Sequence, residues 1–129
     1  MTALVGFLTF LVVTLAFLGA VVVTGLKAKR KAHIPLVVCT VISLLVTIYF
    51  AEKLGESYDL EAAGAIYPIH LAIAKIATVS YLLPVITGVM TLKNPGRRKL
   101  HGKIAFAVIG LTVVTAITGT WMVMASPPL

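Results

Sequence analysis

The segment Leu92-Lys93-Asn94-Pro95-Gly96-Arg97-Arg98-Lys99-Leu100-His101-Gly102-Lys103 decides how this chain folds, because it sets a strongly basic turn between two long apolar segments. An earlier segment, Lys27-Ala28-Lys29-Arg30-Lys31-Ala32-His33, has the same plan. In both, a histidine follows the cations where the next apolar segment begins. Two such turns predict a series of helical hairpins with two histidines at similar depth.

The composition of the chain predicts a protein that folds in lipid. Of its 129 residues, 60% are hydrophobic and 12% are charged, whereas soluble domains average about 25% charged residues. The net charge of +7 is concentrated in short turns without an aromatic platform, so nucleic-acid binding is not predicted. The single cysteine, Cys39, excludes an internal disulfide and is expected to be a small buried hydrophobic residue.

Apolar runs divide the chain into four predicted membrane spans, at about residues 3–26, 34–51, 65–92 and 104–125, each near the roughly 20 residues that cross a bilayer. The first run begins uncharged and ends in cations, so we expect it to be retained rather than cleaved as a signal peptide. Pro35 is expected in the first turn of the second helix, and Pro84 is expected to kink the third. The predicted fold class is all-α: an integral membrane up-down four-helix bundle, a single domain over 1–129, with both termini outside.

Charge and small residues refine this topology. Nine of the eleven lysines and arginines flank the two basic turns, which predicts that these turns are cytoplasmic. Small residues are expected to let the helices approach closely. The glycines expected to do so are Gly19, Gly25, Gly64, Gly88, Gly110 and Gly119.

His33 and His101 are the leading candidate ligands. In a square bundle their two parallel helices would be diagonal, roughly 14 Å apart. That distance suits two imidazoles that bind opposite faces of one metal, as haem iron is bound. Arg97, Arg98 and Lys99, with Lys29 and Arg30, are candidate partners for haem propionates. The alternative is that both histidines cap helices or meet lipid headgroups.

His70 and Lys75 are the other ionisable residues within a predicted span. His70, near the outer end of the third helix, is a candidate metal or haem ligand or proton-transfer group, or a structural polar residue. Lys75 is rotated about 140° from it and either snorkels toward the interface or pairs with a propionate, a quinone or a subunit carboxylate. Unchanged assembly and activity in Lys75→Met would refute the functional interpretation. Candidate neighbours of His70 are Tyr49, Glu52, Trp121, Met122 and Met124.

No hydrolase or transferase signature accompanies these residues, because no span contains an acidic residue that could orient a nucleophile, and phosphate-binding glycine motifs are absent. Electron transfer is a possible activity, and a small transporter is disfavoured because paired intramembrane charges and a convincing inverted repeat are absent. The threonines of the fourth helix are expected to serve packing and back-bonding to their own helix. They are Thr112, Thr115, Thr118 and Thr120.

The order of these features resembles a family of small four-span bacterial membrane proteins of unknown function that includes a cytochrome c oxidase maturation factor. The resemblance covers mainly residues 27–125. It is carried by Lys29-Arg30-Lys31-Ala32-His33, Ile69-His70-Leu71-Ala72, Leu82-Leu83-Pro84 before Arg97-Arg98, and Leu100-His101-Gly102-Lys103 before Thr118-Gly119. Members commonly carry a further histidine at the outer end of the second span, where Ile48-Tyr49-Phe50-Ala51-Glu52 has none.

The resemblance implies a haem or copper role for His33, His70 and His101, and a looser similarity to transmembrane b-type cytochromes indicates the same residues. It also implies a location in the bacterial inner (cytoplasmic) membrane. Together these patterns predict a haem b-binding protein of a respiratory electron-transfer chain, either a cytochrome subunit or an oxidase-assembly factor, with copper as the alternative metal. The other hypothesis is a cofactor-free accessory or structural subunit of a larger membrane complex.

Overall fold

The computed structural model describes all 129 residues and is built of helices without a β-strand. This confirms the predicted all-α class. The α-helices are α1 (Ala3–Leu26), α2 (Arg30–Gly55), α3 (Ile66–Ser80), α4 (Leu82–Lys93) and α5 (Arg98–Met124), with short 3-10 turns at Glu61–Ala63 and Pro95–Arg97.

Four helical segments are long and apolar enough to cross a membrane: Ala3–Leu26, Arg30–Gly55, Ile66–Lys93 and Pro95–Met124. The third comprises α3 and α4, which are separated only at Tyr81. Pro84 has no N–H for the carbonyl of Ser80, one turn earlier, so the helix loses a hydrogen bond at this point. The helix is therefore interrupted at Tyr81, close to Pro84, where the sequence predicts a kink.

The last basic residues of each basic segment belong to the helix that follows. Helices α2 and α5 therefore begin before the uncharged runs of the sequence. Helix α2 starts at Arg30, so Pro35 lies inside it and not in its first turn, as expected from the sequence. That expectation was wrong because lysine and arginine are good helix formers whose long side chains carry their charge away from the axis. The cost is a missing hydrogen bond to the Lys31 carbonyl.

The chain divides into two compact units, Met1–Tyr58 and Asp59–Leu129. In unit 1, α1 and α2 form a hairpin joined by hydroxyl groups near its middle. Thr14 Oγ1 lies 2.6 Å from Ser43 Oγ and 3.0 Å from Thr47 Oγ1, and Thr47 donates to the Ser43 carbonyl at 2.9 Å. All three side chains are buried, so these hydrogen bonds are shielded from water.

In unit 2, α3 and α4 pack against α5. The Tyr81 hydroxyl, at the interruption between α3 and α4, is hydrogen-bonded to Thr112 of α5. Thr112 in turn donates to the Val108 carbonyl of its own helix at 2.8 Å. At the turn before α5, the Asn94 side chain accepts a hydrogen bond from the Gly96 amide at 3.1 Å. Tyr81 thereby joins the interruption between α3 and α4 to the middle of α5.

Buried and exposed residues are distributed in the reverse of the soluble pattern. Six hydroxyl side chains are buried, against five apolar ones, and many large apolar residues are exposed, including Val12 at 66% and Val79 at 66%. Cys39 is also exposed, so the expectation that it is buried was wrong. The expectation failed because, on a helix that presents apolar side chains outward, apolar neighbours no longer indicate burial.

Candidate histidine sites

His33 is held against α1 by its Nδ1 atom. As the fourth residue of α2, it lies in the first turn of that helix. Its Nδ1 is 3.1 Å from Thr24 Oγ1 and 3.0 Å from the Val21 carbonyl oxygen. A Cβ atom added to Gly25, the residue after Thr24, would lie 3.1 Å from His33 Cε1. The glycine therefore leaves room for the ring edge.

His101 has the same surroundings in unit 2. It is the fourth residue of α5, and its Nδ1 is 3.0 Å from Thr87 Oγ1 on α4. A Cβ on Gly88, the residue after Thr87, would lie 3.3 Å from His101 Cε1. Both histidines thus sit in what we call a Thr-Gly cradle, in which the threonine holds Nδ1 and the adjacent glycine faces Cε1.

His70 lies in a third Thr-Gly cradle. Here the histidine precedes the Thr-Gly pair in the sequence, whereas it follows the pair in the other two cradles. Its Nδ1 lies 2.9 Å from Thr118 Oγ1 on α5. A Cβ on Gly119 would lie 2.8 Å from His70 Cε1, a separation that side-chain atoms do not tolerate without a shift. This cradle lies at the end of unit 2 away from the Asn94–Arg97 turn.

The threonine hydroxyls determine which ring nitrogen carries the proton. Thr24 donates to the Ala20 carbonyl, Thr87 to the Leu83 carbonyl and Thr118 to the Val114 carbonyl, at 2.8 to 3.0 Å. A hydroxyl has one proton, so each oxygen can only accept from the histidine. We therefore infer that Nδ1 carries hydrogen in all three rings. The Val21 carbonyl, which is an acceptor only, requires the same of His33.

This tautomer gives each neutral imidazole its lone pair on Nε2. Metal-binding histidines are usually oriented in this way, with one nitrogen donating to a neighbouring oxygen while the other binds the metal. Because the accepting threonine is itself bonded to its own helix, the ring orientation is fixed from two directions. In this tautomer, Nε2 is the ring nitrogen that could bind a metal.

The two cradles next to the basic turns repeat each other in sequence. Arg30-Lys31-Ala32-His33 opens α2 and Arg98-Lys99-Leu100-His101 opens α5, while Thr24-Gly25 and Thr87-Gly88 precede the turns. Each unit is thus a helical hairpin built to one plan, with one cradle at its basic end.

Helix geometry separates the predicted propionate partners. Arg98 is three residues before His101 and Arg97 is four before it, so both fall on the histidine's side of the helix, whereas Lys99 does not. All three are exposed. Arg30 and Lys29 have the corresponding positions relative to His33.

The remaining candidates are dispersed. Lys75 is exposed on α3, in keeping with its predicted rotation away from His70. Of the suggested neighbours of His70, Met122 is buried, whereas Trp121 and Met124 are 61% and 82% exposed. No group of three or more His, Cys, Asp or Glu side chains is arranged to hold a metal ion.

Sequence reasoning missed the threonine partners. Thr118 was expected to serve helix packing and to bond back to its own helix. It does bond back, and it also holds His70. The signal was present: the chain has three Thr-Gly dipeptides and three histidines. Of the six glycines predicted to permit close approach, Gly25, Gly88 and Gly119 face histidine rings, whereas Gly19, Gly64 and Gly110 have no such neighbour within 4 Å.

Comparison with known proteins found no matching family model, no matching curated protein and no matching solved structure.

Proposed function

We propose that this chain is a multi-pass membrane protein that binds haem b and takes part in a respiratory electron-transfer chain, as a cytochrome subunit or as an oxidase-assembly factor. The observation that carries the proposal is the Thr-Gly cradle, repeated at all three histidines, in which a threonine hydroxyl holds Nδ1. Imidazoles within membrane helices are energetically costly, so those that occur are candidates for a function.

The ligand set favours haem over a bare metal ion such as copper. A bare ion in a protein needs several side-chain ligands, and no group of three or more candidate ligands is present. A porphyrin supplies four nitrogen ligands itself, so one or two imidazoles complete its iron. When bound, haem would supply one-electron redox chemistry.

Each kind of residue at the proposed site would have its own role. In this proposal His33 and His101 each bind haem iron through Nε2. Thr24 and Thr87 orient the rings, while Gly25 and Gly88 leave room for them. Positive charge nearby, at Arg30 and Arg98, suits the carboxylates of a haem.

A reduced-minus-oxidised absorption spectrum of the purified protein tests this proposal. We expect the spectrum of a histidine-ligated haem in the wild type, and its loss in both His33→Ala and His101→Ala. A folded, colourless preparation that takes up no added haem would refute the proposal.

Matched threonine variants separate ligand positioning from general damage to the helix. Thr87→Val removes the acceptor for His101 Nδ1, and we expect haem affinity to fall by about tenfold or more, as for other groups that orient a metal ligand. Thr91→Val on the same helix removes a hydroxyl that only back-bonds to the Thr87 carbonyl, so we expect haem affinity to be unchanged. Equal losses in both variants would contradict the positioning role.

The second candidate function is a cofactor-free subunit that docks a larger membrane complex through its basic turns. The specific observation in its favour is that the same histidine–threonine hydrogen bonds join neighbouring helices within each unit and need no cofactor to do so. In this case the purified chain would be colourless, and His33→Ala would lower its stability without changing any spectrum.

A further inference from the structure

Lys75 is the one charged residue in the interior of the third candidate membrane segment, Ile66–Lys93. It lies nine residues after Ile66, or roughly 14 Å along the helix axis. That depth is inside a hydrocarbon layer of roughly 30 Å centred on a segment of 28 residues. A charged side chain at this depth is costly unless it is paired with another group.

The helices of unit 2 offer Lys75 no acidic partner, because α3, α4 and α5 contain no aspartate or glutamate. Asp59 and Glu61, the acidic residues of that unit, precede α3. The one ion pair of the structure joins Lys53 to Glu56. Lys75 is exposed, so a partner for its charge must come from outside unit 2.

Lys75 interrupts a stripe of exposed apolar residues that runs along α3 and α4. The stripe consists of Ala72, Lys75, Val79, Leu82, Ile86 and Val89, which are spaced alternately by three and four residues and are all exposed. This is the spacing with which one helix packs lengthwise against another. The stripe extends over roughly 26 Å, on the side of α3 opposite the buried Ala77. Its length suits another membrane-spanning helix.

We propose that the stripe docks a transmembrane helix of a different subunit, and that an aspartate or glutamate of that helix pairs with Lys75. A single charged position in an apolar stripe favours the one alignment that brings an opposite charge to it. A symmetric contact between two copies of this chain would place two Lys75 side chains together, so charge repulsion disfavours a homodimer at the stripe. This inference rests on the part of the proposed function that places the chain in a membrane, and it is independent of haem.

Binding of two designed membrane peptides tests this proposal. Both are leucine-rich transmembrane helices, one with a single glutamate at the depth of Lys75 and the other with leucine there. Energy transfer between the labelled full-length chain and each labelled peptide is measured in phosphatidylcholine liposomes. We expect the wild type to bind the glutamate peptide about tenfold more tightly, as polar contacts between membrane helices allow. Lys75→Met should abolish this preference, whereas Lys93→Met, at the end of the same segment, should retain it.

Cross-linking tests which face of α3 the glutamate peptide covers. In a Cys39→Ser background, which removes the single native cysteine, Val79→Cys places a thiol on the stripe. Ile76→Cys is the matched control, because Ile76 is turned about 100° from Lys75 around the helix and is similarly exposed, at 59% against 66% for Val79. We expect a disulfide with a cysteine one turn from the peptide's glutamate in Val79→Cys and not in Ile76→Cys. Equal cross-linking in both variants would overturn docking at the stripe.

The remaining outcomes separate this proposal from the proposed function. Equal binding of the two peptides to the wild type would show that lipid headgroups satisfy Lys75, and would overturn the docking site while the proposed function stands. A preference that appears only in Glu52→Gln would show that Lys75 pairs within the chain, with the same consequence.

Two results bear on the proposed function itself. A chain that alkali extracts from the liposomes would refute its place in the membrane, and both proposals with it. A folded, colourless chain that still prefers the glutamate peptide would refute the haem proposal and support the docking site.

Discussion

At the scale of single residues, a threonine and the glycine after it determine how each histidine is presented. The threonine oxygen accepts from Nδ1 because its own proton is committed to a helix carbonyl. The glycine lets the ring edge approach its helix. The chemistry of each histidine is therefore set by two residues on another helix, which the histidine's own sequence neighbours do not reveal.

Adding one methyl group tests the glycine's role. In Gly119→Ala the new Cβ would lie 2.8 Å from His70 Cε1, so the ring or α5 must shift, and we expect a loss of about 1–3 kcal/mol in the free energy of unfolding. Unfolding of the purified protein in detergent measures it. Gly110→Ala is the matched control, because nothing lies within 4 Å of its Cβ position and alanine favours helix. Equal effects at both positions would contradict the close approach at Gly119.

At the scale of elements, the α1–α2 hairpin is held by its hydroxyl cluster and by a tight turn. Thr14, Ser43 and Thr47 form a continuous chain of hydrogen bonds that ends at the Ser43 carbonyl. The turn contains Ala28 at a φ of 53°, in the left-handed region that costs an L-residue about 1–2 kcal/mol.

Removing the central hydroxyl should weaken the hairpin. Thr14→Val leaves Ser43 and Thr47 without their shared partner, and we expect a loss of about 1 kcal/mol, in the range measured for hydrogen bonds between membrane helices. Thr9→Val is the control, because Thr9 is an exposed residue of the same helix. The two variants are compared by unfolding in detergent, and a Thr14→Val protein as stable as Thr9→Val would show that the cluster contributes nothing.

Substitution by glycine should change the free energy of unfolding in opposite directions at two nearby alanines. Ala28→Gly relieves the left-handed backbone and is expected to stabilise unit 1 by up to about 1 kcal/mol. Ala32→Gly, inside helix α2, is expected to destabilise it by about 0.5–1 kcal/mol. Unfolding free energies in detergent decide this, and destabilisation of similar size in both variants would rule out strain at Ala28.

Element by element, the sequence predicts what depends on composition and fails where packing decides. Runs of apolar residues locate the four segments, and Pro84 predicts the interruption beside it. The position of Pro35 in its helix was predicted wrongly because charged residues extend the start of α2. The burial of Cys39 was predicted wrongly because apolar sequence neighbours indicate burial only when the outside of the protein is polar. The partners of His33, His70 and His101 depend on the register between helices, which no local pattern reveals.

At the scale of the whole molecule, the distribution of charge supports a fixed topology. Nine of eleven cations flank the two basic turns, so we propose that these turns are cytoplasmic and that both termini are outside, in the inner membrane of a bacterium. Enzyme reporters fused to residue 129 and within the 94–97 turn should report opposite sides. Activity of the cytoplasmic reporter at residue 129 would contradict this orientation.

The central proposal is that His33 and His101, held by Thr24 and Thr87, bind haem iron through Nε2. The most direct measurement is the absorption spectrum of the purified, folded chain after titration with haem, for the wild type and for the His33→Ala/His101→Ala double variant. The wild type is predicted to show the spectrum of a histidine-ligated haem, and the double variant to lack it. Identical spectra for the two proteins, or no haem uptake by the folded wild type, would contradict the claim.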